Sequence, residues 1–147
     1  MTRLGPSAPA FAAALLTCLA TASPAAAATA VAGTGQGATF SFCDPTVDII
    51  MAGASLDGAS WTFLLTMFRS PADGCSPILY SAYQGAWSPA AGGCLASVLP
   101  ADASKLCVDA VALPGPATTR WRICSLGQNP CEDFYAFWVG TVSLAGA

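Results

Sequence analysis

The nine residues WTFLLTMFR (61–69) decide the fold class, because large apolar side chains recur along them at every second position. Trp61, Phe63 and Leu65 fall on one face and Thr62 on the other, which is the period of a half-buried β-strand rather than of a helix. The segment predicts a strand with one face in a core.

Similar short apolar runs occur along the chain, separated by Gly, Pro, Asp and Ser. Further strands are predicted at 38–43, 47–51, 77–84, 120–126 and 134–144. Residues 29–37 are small and polar and fit a frayed terminus or an edge strand. Residues 102–113 fit a strand or a short helix, and the alternation favours the strand. The sequence predicts an all-β fold, a small single-domain antiparallel β-sandwich or barrel.

Six cysteines follow the apolar amino-terminal segment: Cys43, Cys75, Cys94, Cys107, Cys124 and Cys131. In an exported chain of this size they indicate three structural disulfides, although six cysteines allow many pairings. Spacing favours the sequential pattern Cys43–Cys75, Cys94–Cys107 and Cys124–Cys131. Each bond contributes roughly 2.5–4 kcal/mol on a chain-entropy model. Three bonds are therefore comparable to a typical net stability of ~5–15 kcal/mol.

The amino-terminal segment has the pattern of a cleavable signal peptide. Arg3 supplies a positive charge, residues 10–22 an apolar core, and the alanines that follow supply small-residue cleavage sites. Cleavage after Ala28 is predicted, with neighbouring alanines as alternatives, which leaves 29–147 as one disulfide-bonded domain. A membrane helix needs about 20 apolar residues, so the mature chain is expected to have no membrane span. It is predicted to be secreted, extracellular or in the cell envelope.

Charge composition excludes a nucleic-acid partner. Without Arg3 the chain keeps four basic residues against eight acidic ones. Nucleic-acid binding requires several cations on one face to neutralise phosphates. The expected partner is instead an extracellular glycan or a protein.

Histidine is absent from the sequence, which excludes Ser-His-Asp catalysis, Cys-His catalysis and His-ligated zinc. Ser104 and Lys105 are adjacent, but neighbouring residues of a strand point to opposite faces and do not form a dyad. No phosphate-binding glycine loop occurs. The sequence predicts a protein that is not an enzyme and uses no cofactor and no metal.

The acidic residues allow two alternative functions, one catalytic and one metal-binding. Asp44 and Asp48 fit one strand face, and Asn129, Glu132 and Asp133 occur in one turn-rich stretch. Two carboxylates can hydrolyse a glycoside, and either set could bind calcium. Aspartates in turns more commonly accept backbone hydrogen bonds, so a small carboxylate-dependent hydrolase ranks last among the functions considered.

Aromatic residues supply the leading functional hypothesis, because Trp and Tyr combine an apolar face with a polar group. Trp61 and Trp138 are predicted to lie in the core. Trp87 has a loop-like context, so Tyr83 and Trp87 are the predicted binding residues. The favoured function is a secreted, non-catalytic binding or structural module with a carbohydrate or peptide ligand. The alternative is a secreted hydrolase inhibitor that presents the loop 88–94.

Overall fold

A computed structural model describes residues 28–39, 46–68 and 77–147 of the 147-residue chain. The strands in these ranges are β1 Thr29–Thr39, β2 Thr46–Ser55, β3 Ser60–Phe68, β4 Ile78–Ala86, β5 Gly93–Ser97, β6 Ser104–Val108, β7 Ala117–Ser125 and β8 Trp138–Gly146. A short 3-10 helix, Asp133–Tyr135, precedes β8. Each strand pairs antiparallel with the next, and β8 pairs with β1. The predicted all-β fold is confirmed, and its form is a closed up-and-down barrel.

The barrel interior is filled by alternate residues of the strands. Burial alternates strictly along β2 and nearly so along β3. Met51, Phe63 and Leu65 are fully buried, as is Trp121 from β7. Each such side chain stabilises the fold by about 1.5–3 kcal/mol through removal of apolar surface from water. The alternation of 61–69 therefore sets which face of β3 lines the interior.

The two ends of the barrel follow from the strand order. Strands β1, β3, β5 and β7 end, and β2, β4, β6 and β8 begin, at one end of the barrel, here called the mouth; the opposite end is called the base. At the base, the Asp57 carboxylate accepts hydrogen bonds from the backbone N–H groups of Ser60 (2.7 Å) and Ala59 (2.9 Å). These bonds lower the pKa of Asp57. Gly58 has φ +71°, a left-handed conformation that favours glycine at this turn.

Two disulfides lie in the described ranges. Cys94–Cys107 joins opposed residues of β5 and β6, with a Cα–Cα distance of 3.9 Å. Cys124–Cys131 joins β7 to the segment before the 3-10 helix, with a Cα–Cα distance of 5.8 Å. Both pairs agree with the sequential pattern predicted from spacing. The predicted pair Cys43–Cys75 lies outside the described residues.

A second, smaller core cluster lies on the outer side of β6 and β7. Cys107, Cys124, Cys131 and Ala136 are buried together there. Their strand neighbours Leu106 and Ile123 belong instead to the core inside the barrel. The segment before β8 therefore packs on the outside of the barrel, where the Cys124–Cys131 bond holds it.

Several element boundaries differ from the prediction. Residues 29–37 are neither frayed nor an edge, because β1 pairs with β2 on one side and β8 on the other. Strand β5 was not predicted. Within 102–113 the strand is Ser104–Val108 and there is no helix. The run 134–144 begins inside the 3-10 helix, and its strand starts at Trp138. Of the predicted strand 38–43, residues 38 and 39 belong to β1, and residues 40–43 lie outside the described ranges.

Within the described ranges, no helix has the length and apolar character needed to cross a lipid bilayer.

Candidate functional site

A cavity of about 460 Å³ opens at the mouth of the barrel. Apolar side chains from four strands line it: Met67, Leu79, Ile123 and Trp138. Small-molecule sites typically have volumes of about 300–1,000 Å³ and mostly apolar walls. An eight-stranded barrel is also wide enough to hold one small ligand. The size and lining of this cavity therefore suit a small organic molecule.

Hydroxyl groups form the inner end of the cavity. Tyr83 from β4 and Ser104 from β6 are both buried, and their hydroxyl oxygens lie 3.3 Å apart. Ser81 and Ser125 add further hydroxyl groups to the lining. A hydroxyl can donate and accept a hydrogen bond. The inner end can therefore orient a polar group of a ligand whose remainder is apolar.

Burial raises the pKa of Tyr83 above its usual value of 10.0, and the negative charge of Asp102 raises it further. Hydrogen bonds with Ser104 and Ser81 act in the opposite direction. Because the combined effect is upward, the phenol is protonated at neutral pH. The deep hydroxyl pair is therefore uncharged under physiological conditions.

The rim of the cavity carries aromatic rings and one charge. Phe137 lines the cavity and is 53% exposed, and the adjacent Trp138 lines it and is partly buried. Tyr80 also borders the cavity, but alternation along β4 turns its ring to the outer face. Asp102, in the β5–β6 connection, is partly buried and is the one charged residue among the described residues that line the cavity. A molecule that enters at the mouth therefore meets the Phe137 ring and the Asp102 carboxylate before it reaches the hydroxyl groups.

The base of the barrel is filled by an aromatic cluster. Trp87 packs edge-on against Trp61 and Phe63, with ring centroids 5.6 and 5.4 Å away. The Trp87 indole N–H donates a hydrogen bond of 3.1 Å to the Val108 carbonyl. All three rings are at most 1% exposed. This packing occupies the interior near the base, so open volume remains toward the mouth.

The two predicted binding residues occupy different parts of this interior. Tyr83 is 1% exposed and lines the cavity, whereas Trp87 is 1% exposed within the base cluster. Trp87 lies in the β4–β5 connection, in keeping with its loop-like context, but its ring is buried in the barrel. Neither side chain belongs to an exposed stacking surface. A binding role for either residue stays a prediction.

Most residues that line the cavity carry no signal in the sequence. Asp102, Ser104, Phe137 and Trp138 were not predicted as binding residues. They come from β6, β8 and the two connections that precede these strands. No local motif connects them, because strand pairing alone brings them to one end of the barrel.

Two of the predicted carboxylate candidates have other partners. Asp48 accepts a hydrogen bond of 3.0 Å from the Gln36 amide, and Asp133 forms an ion pair with Arg120. Asp44 lies outside the described residues. No group of three or more His, Cys, Asp or Glu side chains in the described ranges is arranged to hold a metal ion. Hydrolysis and calcium binding stay predictions that this geometry does not support.

The segment 88–94, considered for an inhibitory loop, forms a tight turn at the base. The Ser88 carbonyl accepts hydrogen bonds from the N–H groups of Ala91 (3.1 Å) and Gly92 (2.7 Å). The turn is tethered to the barrel through Cys94. Inhibition of a hydrolase is untested and stays a prediction.

Comparison of this chain with protein-family models, curated proteins and solved structures finds no match.

Proposed function

We propose that this protein is an exported, non-catalytic binding protein that holds a small, largely apolar molecule in the mouth of its barrel. The observation that carries the proposal is the cavity of about 460 Å³, which has apolar walls and the Tyr83–Ser104 hydroxyl pair at its inner end. Aromatic packing at the base leaves the mouth as the entrance. A polysaccharide or peptide of several units exceeds this volume, so a single small molecule replaces the ligands expected from sequence.

Export is part of the proposal. Disulfides persist in oxidising compartments and are rare in the cytosol, and two are present here. The predicted cleavage after Ala28 falls immediately before β1, which begins at Thr29. Cleavage there would leave every described strand intact. Amino-terminal sequencing of protein recovered outside the cytosol tests this part, and an uncleaved amino terminus contradicts it.

A neutral fluorescent probe tests binding in the mouth. We expect 1-aminoanthracene to show saturable binding to the wild-type protein, with a blue shift as it enters an apolar site. Ser125→Phe adds a ring to the cavity lining and should weaken binding at least about tenfold, a change of 1.4 kcal/mol. Ser143→Phe is the matched control, because Ser143 lies exposed on the outer face of β8 and bonds Thr118.

Two results would contradict the proposal. The first is equal probe affinity in Ser125→Phe and the wild type, which would place the probe outside the mouth. The second is absence of saturable binding by the probe and by a panel of monosaccharides and small amphiphiles. Circular dichroism confirms in each case that the variant is folded.

A further inference from the structure

We infer that the ligand of the barrel mouth is an organic cation, an ammonium group carried on an apolar body. This inference rests on the proposed function and narrows it. The cavity combines a carboxylate, Asp102, with the aromatic residues Phe137 and Trp138. Carboxylates and aromatic faces both attract cations, and both do so more strongly when water is partly excluded.

The Asp102 carboxylate has no ion-pair or hydrogen-bond partner among the described residues. Other carboxylates are engaged: Asp109 pairs with Arg122, and Asp133 pairs with Arg120. A carboxylate that lines a cavity without a partner is available to a ligand, whereas the paired ones are not.

No basic side chain among the described residues lines the cavity. Arg120 and Arg122 form their ion pairs on the outside of the barrel. Lys105 follows the inward-facing Ser104 on β6 and therefore points to the outer face. Arg69 lies outside the described residues. The charge that the described part of the cavity presents to a ligand is therefore negative.

The field of Asp102 extends to the inner end of the cavity. Burial is the main cause of the raised pKa of Tyr83, and the charge of Asp102 adds a further increase that is smaller than any of the other effects. The same field that disfavours a phenolate there favours a positively charged ligand. The hydroxyl groups of Tyr83 and Ser104 remain neutral and can accept a hydrogen bond from an ammonium N–H.

Two probes of the same shape separate charge from hydrophobicity. Benzyltrimethylammonium carries one positive charge, and neopentylbenzene is its neutral carbon isostere. We expect the wild-type protein to bind the cation about tenfold or more tightly than the isostere, as titration calorimetry or displacement of 1-aminoanthracene would measure. The preference should shrink with added salt, because part of the site is open to solvent.

Asp102→Asn tests the assigned residue with little change in shape. It should reduce affinity for the cation about tenfold and leave affinity for the isostere unchanged. Glu132→Gln is the matched control, because it removes the same charge from an exposed residue away from the cavity. Glu132→Gln should retain the wild-type preference, and circular dichroism checks the fold of both variants.

The outcomes distinguish the two proposals. Equal affinity of the wild type for both probes overturns the cation inference and leaves the proposed function standing. A preference that survives Asp102→Asn also overturns it, because the discrimination then arises elsewhere. If neither isostere binds while 1-aminoanthracene does, the cation inference alone fails. If none of these molecules binds, both proposals fail.

Discussion

Truncation of Trp87 separates the structural role of the base cluster from a binding role. Trp87 is 1% exposed, contacts the rings of Trp61 and Phe63, and donates a hydrogen bond to Val108. Buried Trp→Ala substitutions cost about 3–5 kcal/mol. This cost includes the loss of the two aromatic contacts, each of which contributes about 0.5–1.5 kcal/mol. Trp87→Ala should therefore remove a large part of a net stability of ~5–15 kcal/mol.

Trp87→Phe gives the more informative comparison. It keeps an aromatic ring at the base but leaves the buried Val108 carbonyl without its donor, which costs about 1–3 kcal/mol. Because Trp87 lies at the opposite end from the cavity, this variant should bind 1-aminoanthracene as the wild type does. Urea denaturation followed by circular dichroism, with disulfides intact, gives the free energy of unfolding.

The control for this experiment is Phe134→Ala. Phe134 is 84% exposed, so its truncation should change the free energy of unfolding by no more than about 0.5 kcal/mol. The reasoning is refuted if Trp87→Ala is as stable as the control. It is equally refuted if Trp87→Phe is folded but loses the probe, because Trp87 would then act on the ligand as the sequence suggested.

Three further predictions concern other parts of the barrel. The pKa of Tyr83 is raised in the folded state, so the protonated phenol favours folding below about pH 10, and this contribution is lost as pH rises from the unfolded pKa of 10.0 toward the folded pKa. Urea titrations at about pH 8 and pH 10.5 should therefore show a smaller loss of unfolding free energy for Tyr83→Phe than for the wild type. Replacing Cys94 and Cys107 together by alanine, which opens a loop with a sequence separation of 13, should lower the free energy of unfolding by about 3 kcal/mol; a loss below about 1 kcal/mol would contradict the chain-entropy argument. Gly37→Ala places a Cβ 2.4 Å from a buried indole and should lower the free energy of unfolding by about 1–3 kcal/mol, while Gly127→Ala, with open space around it, should not.

The sequence predicted strands where large apolar residues alternate and missed them where the side chains are small. Residues 61–69 show their buried face directly. Strand β1 does not, because glycine, alanine and threonine dominate it. Gly37 illustrates the reason: the β1 backbone is approached closely by Trp121, and no side chain fits between them. The small residues that let β1 pack closely in the barrel also leave it without an alternation of large apolar side chains.

The candidate site was less predictable than the fold. Glycine and proline flank Trp87 and indicate a loop, and the structure places Trp87 in the β4–β5 connection. Strand alternation nevertheless places Tyr83, Gly85 and Trp87 on one face, and Tyr83 and Trp87 are buried inside the barrel. That signal was present in the sequence. That Asp102 and Trp138 line the same cavity cannot be read from the sequence, because it depends on closure of the barrel between distant strands.

Strand β5 connects the stability of the barrel to the geometry of its cavity. Only two residue pairs join β5 to β4, and one of them is Tyr83 with Ser97. On the other side, Cys94–Cys107 fixes β5 to β6 covalently. The hydroxyl contact joins Tyr83 on β4 to Ser104 on β6, and β5 lies between these two strands. Five-residue strands bury little surface of their own, so the Cys94–Cys107 disulfide is needed to hold β5 in register. The inner end of the cavity depends on this register, because its two hydroxyl groups lie on either side of β5.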